Sequence, residues 1–287
     1  LVAGLESLIA DYDGLVLDLW GTLHDGVRPY AGAVAALERL DARGTPIAIL
    51  SNAPRRAAEV AASMRKIGLP AASATRVMCS GEEAYQALAA RSDAWYRKLG
   101  RRMYHLGPAR DRGMLDNPGC TLVAGMQDAD FVLCTGLDRP EETVADYRPQ
   151  LAQAAALSLP MICANPDFEV VRGDQRELCA GALARAYGQE YGGEVRWHGK
   201  PHPSVFLSAL ALLPRLEARR VLVVGDSLRT DIKGAARAGM ASAFITGGIA
   251  LQELGGAWGE APDPAGLAGL FERSGVTPDW VLPAFRW

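Results

Sequence analysis

Short runs of β-forming apolar residues alternate along this chain with segments of helical period, and this alternation constrains the fold more than any other feature. "GLVLD" (14–18) precedes "AVAALERLDARG" (33–44), where Ala33, Val34, Leu37 and Leu40 recur at helical spacing before Gly44. "PIAILSN" (46–52) reads as a second buried strand, "RRAAEVAASMRKIG" (55–68) as a helix and "RVMCS" (76–80) as a third strand. The pattern returns late: "RRVLVVGDS" (219–227) is a strand, "RTDIKGAARAG" (229–239) a helix and "SAFIT" (242–246) a strand. Strands linked through helices imply βαβ units and a parallel sheet. The expected fold is α/β, a three-layer α/β/α core built from residues 1–85 and 187–287. Between these parts, "DFVLCTG" (130–136), "VADYRPQLAQAAAL" (144–157) and "LPMICANPD" (159–167) form a second set of strand, helix and strand, so residues 86–186 are expected to be an inserted α/β domain.

A formal net charge of −3 provides no global basic field, so the composition argues against nucleic-acid or membrane-surface partners. The five cysteines are odd in number and contain no C-x-x-C pair, so neither a disulfide framework nor a zinc site is indicated. With no basic segment before the first apolar residues, the expected setting is cytoplasmic.

In an open parallel sheet, ligands bind beyond the carboxyl ends of the strands, so the polar residues that end apolar runs bear first on function. These are Asp18, Ser51 and Asn52, Lys200 in "HGKPHPS", and Asp226 with Asp231 in "VLVVGDSLRTD". A carboxylate can attack phosphorus, a hydroxyl and an ammonium can hold the phosphoryl oxygens, and further carboxylates can hold Mg2+.

On "LVLDLWGTL", "ILSNAPR", "GKPHPSVF" and "VVGDSLRTDIKGA" the chain resembles the haloacid dehalogenase superfamily, in its class IIA branch with a C2-type cap inserted between the second and third motifs. The resemblance implies hydrolysis of small phosphate monoesters, sugar phosphates or a phosphorylated cofactor, through an aspartyl-phosphate. It implies Asp18, Ser51 and Lys200 as catalytic residues, and Asp18, Asp226, Asp231 and the Trp20 carbonyl around Mg2+. Backbone N–H groups at Trp20 and Gly21, with Asn52 and the cap-loop residues Asn165 and Asp167, are the implied substrate contacts. The expected partners are a small phosphorylated metabolite and a second copy of the chain docked through the cap.

"DYDG" (11–14) imitates the nucleophile phrase, but family spacing places the nucleophile a little over thirty residues before the second-motif hydroxyl. Asp18 meets that spacing to Ser51 and Asp11 does not. Asp11 and Asp13 are therefore expected to serve a turn ahead of the strand. Trp20 departs from the family, which usually carries an acid–base aspartate there. An indole N–H only donates and cannot shuttle a proton near neutral pH. His24 or Asp25 could take the role if their loop folds back, or the leaving group could need no proton. The alternatives are a phospholigand-binding protein with little turnover, and an enzyme acting on a bond other than a phosphate monoester.

Overall fold

The computed structural model describes residues 1–172 and 175–287. The strands are β1 (Gly14–Leu17), β2 (Ile47–Ser51), β3 (Val77–Cys79), β4 (Arg102–Leu106), β5 (Thr121–Leu122), β6 (Phe131–Cys134), β7 (Met161–Cys163), β8 (Glu169–Arg172), β9 (Gln175–Leu178), β10 (Val195–Trp197), β11 (Val221–Gly225), β12 (Ala241–Ile245) and β13 (Trp280–Leu282). The chain divides into two compact units: Leu1–Ser51 with Ala61–Met78 and Lys200–Trp287, and Asn52–Val60 with Cys79–Gly199.

The first unit is built on a six-stranded sheet of order β13-β12-β11-β1-β2-β3, with β1 parallel to β2 and β11. Leu15, Val16 and Leu17 are all fully buried, as expected of a central strand covered on both faces, and their run of apolar residues without alternation follows from that. On one face Val16, Ala48 and Val223 pack against Val205, Phe206 and Ala209 of the helix Pro203–Ala211. From β1 the chain builds outward one way through β2 and β3, and from β11 it builds the other way through β12 and β13. The carboxyl ends of β1 and β11 therefore form a topological switch point.

The second unit holds a five-stranded, wholly parallel sheet of order β10-β7-β6-β4-β5 and an antiparallel ribbon of β8 and β9. Met161, Val132 and Cys134 pack there against Leu151 of the helix Val144–Ala156 and Leu183 and Tyr187 of the helix Ala180–Tyr191.

The inserted segment differs in its bounds from the expected 86–186. A cut after residue 85 would divide the helix Ser80–Ala90, whose Ala84 and Leu88 pack with Met103, Phe131 and Ile162 of the five-stranded sheet. A cut after 186 would divide the helix Ala180–Tyr191 within the face that supplies Leu183 and Tyr187. The segment 229–239, expected to be one helix, begins as a wide turn over Leu228–Ile232, in which Ile232 N–H donates to the Ser227 carbonyl at 3.2 Å, and continues as the helix Lys233–Arg237. No helix among the described residues is long and apolar enough to cross a membrane.

Candidate active site

Four side chains meet at the switch point of the six-stranded sheet. Asp18 follows β1, Asp226 follows β11, Asp231 lies in the wide turn, and Lys200 opens the segment that leads into the helix Pro203–Ala211. Lys200 Nζ donates to Asp18 Oδ1 at 2.5 Å and to Asp231 Oδ1 at 2.7 Å. Carboxylate oxygens of Asp18, Asp226 and Asp231 lie within 4.8 Å of one another. All four residues are buried. The register that pairs Leu17 with both Ile49 and Val224 brings Asp18, Ser51 and Asp226 out at the same sheet edge.

The electrostatics follow from three buried carboxylates facing one ammonium. Burial alone would lower the Lys200 pKa, but the charges of Asp18 and Asp231 outweigh it and raise the pKa above the usual lysine value. Asp226 is pushed well above the carboxylate range, first by burial and then by Asp18 and Asp231. Asp231 is raised to about 6 by burial, with Lys200 opposing and Asp18 adding to the rise. When all four groups are ionised the cluster is short of positive charge. A divalent cation bound by oxygen ligands would supply it, so the donor set fits Mg2+.

Backbone groups hold the acids in place. Ile249 N–H donates to Asp226 Oδ2 at 2.7 Å, and Ser227 N–H to Asp231 Oδ2 at 3.1 Å. Glycines admit this packing: a Cβ on Gly21 would stand 1.9 Å from Asp226 Oδ2, one on Gly248 2.2 Å from the same atom, and one on Gly225 2.2 Å from Asp231 Cγ. The carbonyl of Trp20 belongs to the peptide that joins it to Gly21, the residue pressed against Asp226. Gly248→Ala is expected to displace the Asp226 carboxylate and weaken divalent-cation binding ~10- to 100-fold, as read by calorimetric titration with Mg2+. An unchanged titration would remove Asp226 from the ligand set.

Asp11 lies exposed in a short turn, and Asp13 makes a two-bond pair with Arg220, at 2.7 and 3.0 Å, just ahead of β1. Neither joins the cluster of carboxylates.

The family models match these elements. A model described as haloacid dehalogenase-like hydrolase matches residues 15–121, and one described as HAD-hydrolase-like matches residues 197–277. A crystal structure of a haloacid dehalogenase-like family hydrolase from Brucella suis is 35% identical, covering 99% of this chain and 100% of that one with a TM-score of 0.83. The chain belongs to the haloacid dehalogenase-like hydrolases, in the class IIA branch. D-glycerol 3-phosphate phosphatase of Mycobacterium tuberculosis is 29% identical over 261 residues, 85% of this chain, which spans 66% of that relative's length. A magnesium complex of the glycerol phosphate phosphatase from the same organism is 29% identical with a TM-score of 0.65, covering 89% of this chain and 75% of that one.

In this hydrolase the loop after Asp18 folds back on itself. Gly21 N–H donates to the His24 carbonyl at 2.9 Å, and Tyr30 N–H to that of Leu23 at 3.0 Å. His24 is thereby brought beside Trp20, with ring centroids 5.3 Å apart. Its imidazole is nevertheless poorly suited to give up a proton. Burial lowers its pKa to about 4 against the opposing charge of Asp25, and Nδ1 accepts the Gly26 N–H at 2.8 Å, leaving a neutral ring with its proton on Nε2. Asp25 accepts N–H bonds from Val27 and Arg28, both at 2.8 Å; these bonds and the Arg28 charge outweigh burial and lower its pKa. A carboxylate so held is a poor acid.

The remaining expected contacts lie in the second unit and bond to one another there. Asn52 Nδ2 donates to Asp167 Oδ1 at 3.0 Å, and Asn165 Oδ1 accepts the Asp167 N–H at 3.0 Å, closing the turn of its own loop. Two features escape the reading of the sequence. Thr22, fully buried, donates its hydroxyl to Asp18 Oδ2 at 3.1 Å. Its place four residues after Asp18 within "DLWGTL" is the only signal for it. The Gly247–Gly248 pair after β12 is the only signal for the support behind Asp226.

Proposed function

We propose that this hydrolase cleaves small phosphate monoesters with Asp18 as the nucleophile, in a Mg2+-dependent reaction. The observation that carries the reading is the buried contact of Asp18 with Lys200 and Asp231, beside Asp226, at the switch point. Lys200 on Oδ1 and Thr22 on Oδ2 fix the plane of the Asp18 carboxylate. An Asp18 oxygen forms a bond to phosphorus as the bond from phosphorus to the leaving oxygen breaks. Water then attacks the aspartyl-phosphate, releasing phosphate and restoring the carboxylate. Lys200 and the Ser51 hydroxyl hold phosphoryl oxygens, and Asn52, Asn165 and Asp167 are the proposed contacts to the rest of the substrate. Asp18, Asp226, Asp231 and the Trp20 carbonyl would hold Mg2+, which when bound offsets the charge of the phosphoryl group.

The names of the relatives support sugar and glycerol phosphates as the substrate class. The free thiols of all five cysteines support a reducing, cytoplasmic setting. Trp20 favours a second reading, a phospholigand-binding protein with slow turnover, because neither His24 nor Asp25 is poised to replace the missing acid.

The test is phosphate release from a panel of sugar, glycerol, nucleoside and aryl phosphates with and without Mg2+. Tight binding with no release from any substrate would select the second reading. The Mg2+ requirement is expected to depend on pH with a definite sign. Asp226 and Asp231 have raised pKa values, so protons compete with the cation. The Mg2+ concentration for half-maximal activity is expected to rise as pH falls from 7.5 toward and below about 6. A requirement independent of pH would count against these ligands.

A further inference from the structure

The five-stranded sheet of the second unit has a switch point of its own. Its chain lays down β4, places β5 on one side, crosses to β6 on the other side and then builds outward through β7 and β10. All of these strands are parallel, and the connections leaving β4 and β6 diverge at their carboxyl ends. In doubly wound sheets of this order, small ligands seat in the crevice so formed. A crevice of about 1040 Å3 opens at this place, lined by residues within and just after β4 and β5 and by Asp138 after β6.

The crevice presents exposed side chains of both charge signs beside a constrained backbone. Gly107 follows β4 at φ +156°, and a Cβ there would stand 2.1 Å from Thr135 Oγ1, so only glycine leaves this edge open. The buried Asp111 carboxylate is paired with Arg55 at 3.0 Å, and the Thr135 hydroxyl oxygen lies 2.8 Å from His105 Nε2. Burial lowers the His105 pKa to about 4, which keeps the ring neutral at physiological pH.

Arg112, Asp116 and Asp138 line the same crevice, and none of the three takes part in an ion pair among the described residues. By contrast, Arg102, Arg139 and Arg196 of this unit are each paired with a carboxylate. Two carboxylates would repel a simple anion, and a simple cation would leave Arg112 unmatched. Tyr104, Leu115 and Val123 supply an apolar wall beside these charges.

We propose that this crevice binds a free α-amino acid with an apolar side chain, Arg112 taking its carboxylate, Asp116 and Asp138 its ammonium, and Tyr104, Leu115 and Val123 its side chain. The site is separate from the Asp18 cluster and does not depend on the reaction assigned to it.

Calorimetric titration of the purified protein with L-leucine, L-methionine and L-phenylalanine is expected to show saturable binding at one site. Arg112→Ala, at an exposed and unpaired residue, is expected to weaken that binding at least roughly tenfold, as is Asp138→Asn, each removing one charge-assisted contact. Leucinamide, which lacks the carboxylate, and isocaproate, which lacks the ammonium, are expected to bind at least roughly tenfold more weakly. Asp18→Asn is expected to leave binding of leucine unchanged. The proposal is overturned by no saturable binding of any of the three amino acids, by equal binding of leucinamide, by wild-type affinity in Arg112→Ala, or by loss of binding in Asp18→Asn. The last result would assign the ligand to the Asp18 cluster.

Discussion

Asp18→Asn is expected to lower kcat about 10^5-fold, the scale on which removal of a nucleophile acts, while the chain remains folded. The amide keeps the shape of the carboxylate and can still accept from Lys200 through its oxygen, so the lysine keeps a partner there as well as Asp231. It also removes one of three like charges packed within 4.8 Å, so the metal-free variant is expected to unfold at the same denaturant concentration as the parent or a higher one. Phosphate binding in the presence of Mg2+ should persist in part, because Ser51, Lys200 and Asp226 are untouched. Asp11→Asn and Asp13→Asn serve as controls: Asp11 is exposed in a turn and Asp13 is spent on Arg220. Their kcat should match the parent. Loss of turnover in either of them, with turnover retained in Asp18→Asn, would overturn the assignment of the nucleophile.

Trp20→Asp is expected to raise kcat for alkyl phosphates ~10^2- to 10^4-fold, with little change for aryl phosphates. An alkoxide leaving group needs a proton, and the two loop residues that could replace the aspartate are poor donors: His24 is neutral with Nδ1 engaged, and Asp25 is held ionised. In the parent, rates should therefore fall steeply as the leaving-group pKa rises. An aspartate at position 20 should flatten that dependence. The substitution also removes an indole that packs on Gly26, where a Cβ would stand 2.4 Å from its Cζ2, and that tilts against His24. A loss of stability of ~1–3 kcal/mol is expected, so thermal unfolding should be measured first. If the parent already shows a shallow leaving-group dependence, another residue supplies the proton and the indole is not the limiting feature. His24→Ala would then be the variant to measure for the missing steepness.

The strands that carry the acids were legible because each is buried on both faces, and such strands are continuous apolar runs in any reading of the chain. The same runs place Asp18, Ser51 and Asp226 at strand ends, and the resemblance to the family, through its usual spacing to the second-motif hydroxyl, separates Asp18 from the imitation at Asp11. Other elements carry no such mark. "RMYHL" of β4 is half polar because Arg102 is exposed while Met103 and Leu106 are buried, and β10 and β13 contribute three residues each. Sheet pairing, not local pattern, makes these segments strands. The bounds of the inserted segment differ for a related reason: helices end where their packing ends, and the strand-like runs at 130–136 and 159–167 do not report where the flanking helices pack.

The sequence by itself determined which residue types stand at the carboxyl edge of the core sheet, and that Trp20 stands where a proton carrier is usual. Tertiary structure alone decided how those groups are held. The loop that brings His24 to Trp20, the Ile249 N–H on Asp226, the Thr22 hydroxyl on Asp18 and the amide of Asn52 on Asp167 are contacts between groups whose identities do not announce one another. The last of these joins residues 115 positions apart. Periodicity reports which face of a segment is buried, but a hydrogen bond between distant segments depends on where the chain's turns bring them, and that is settled only when the whole sheet closes its pairings.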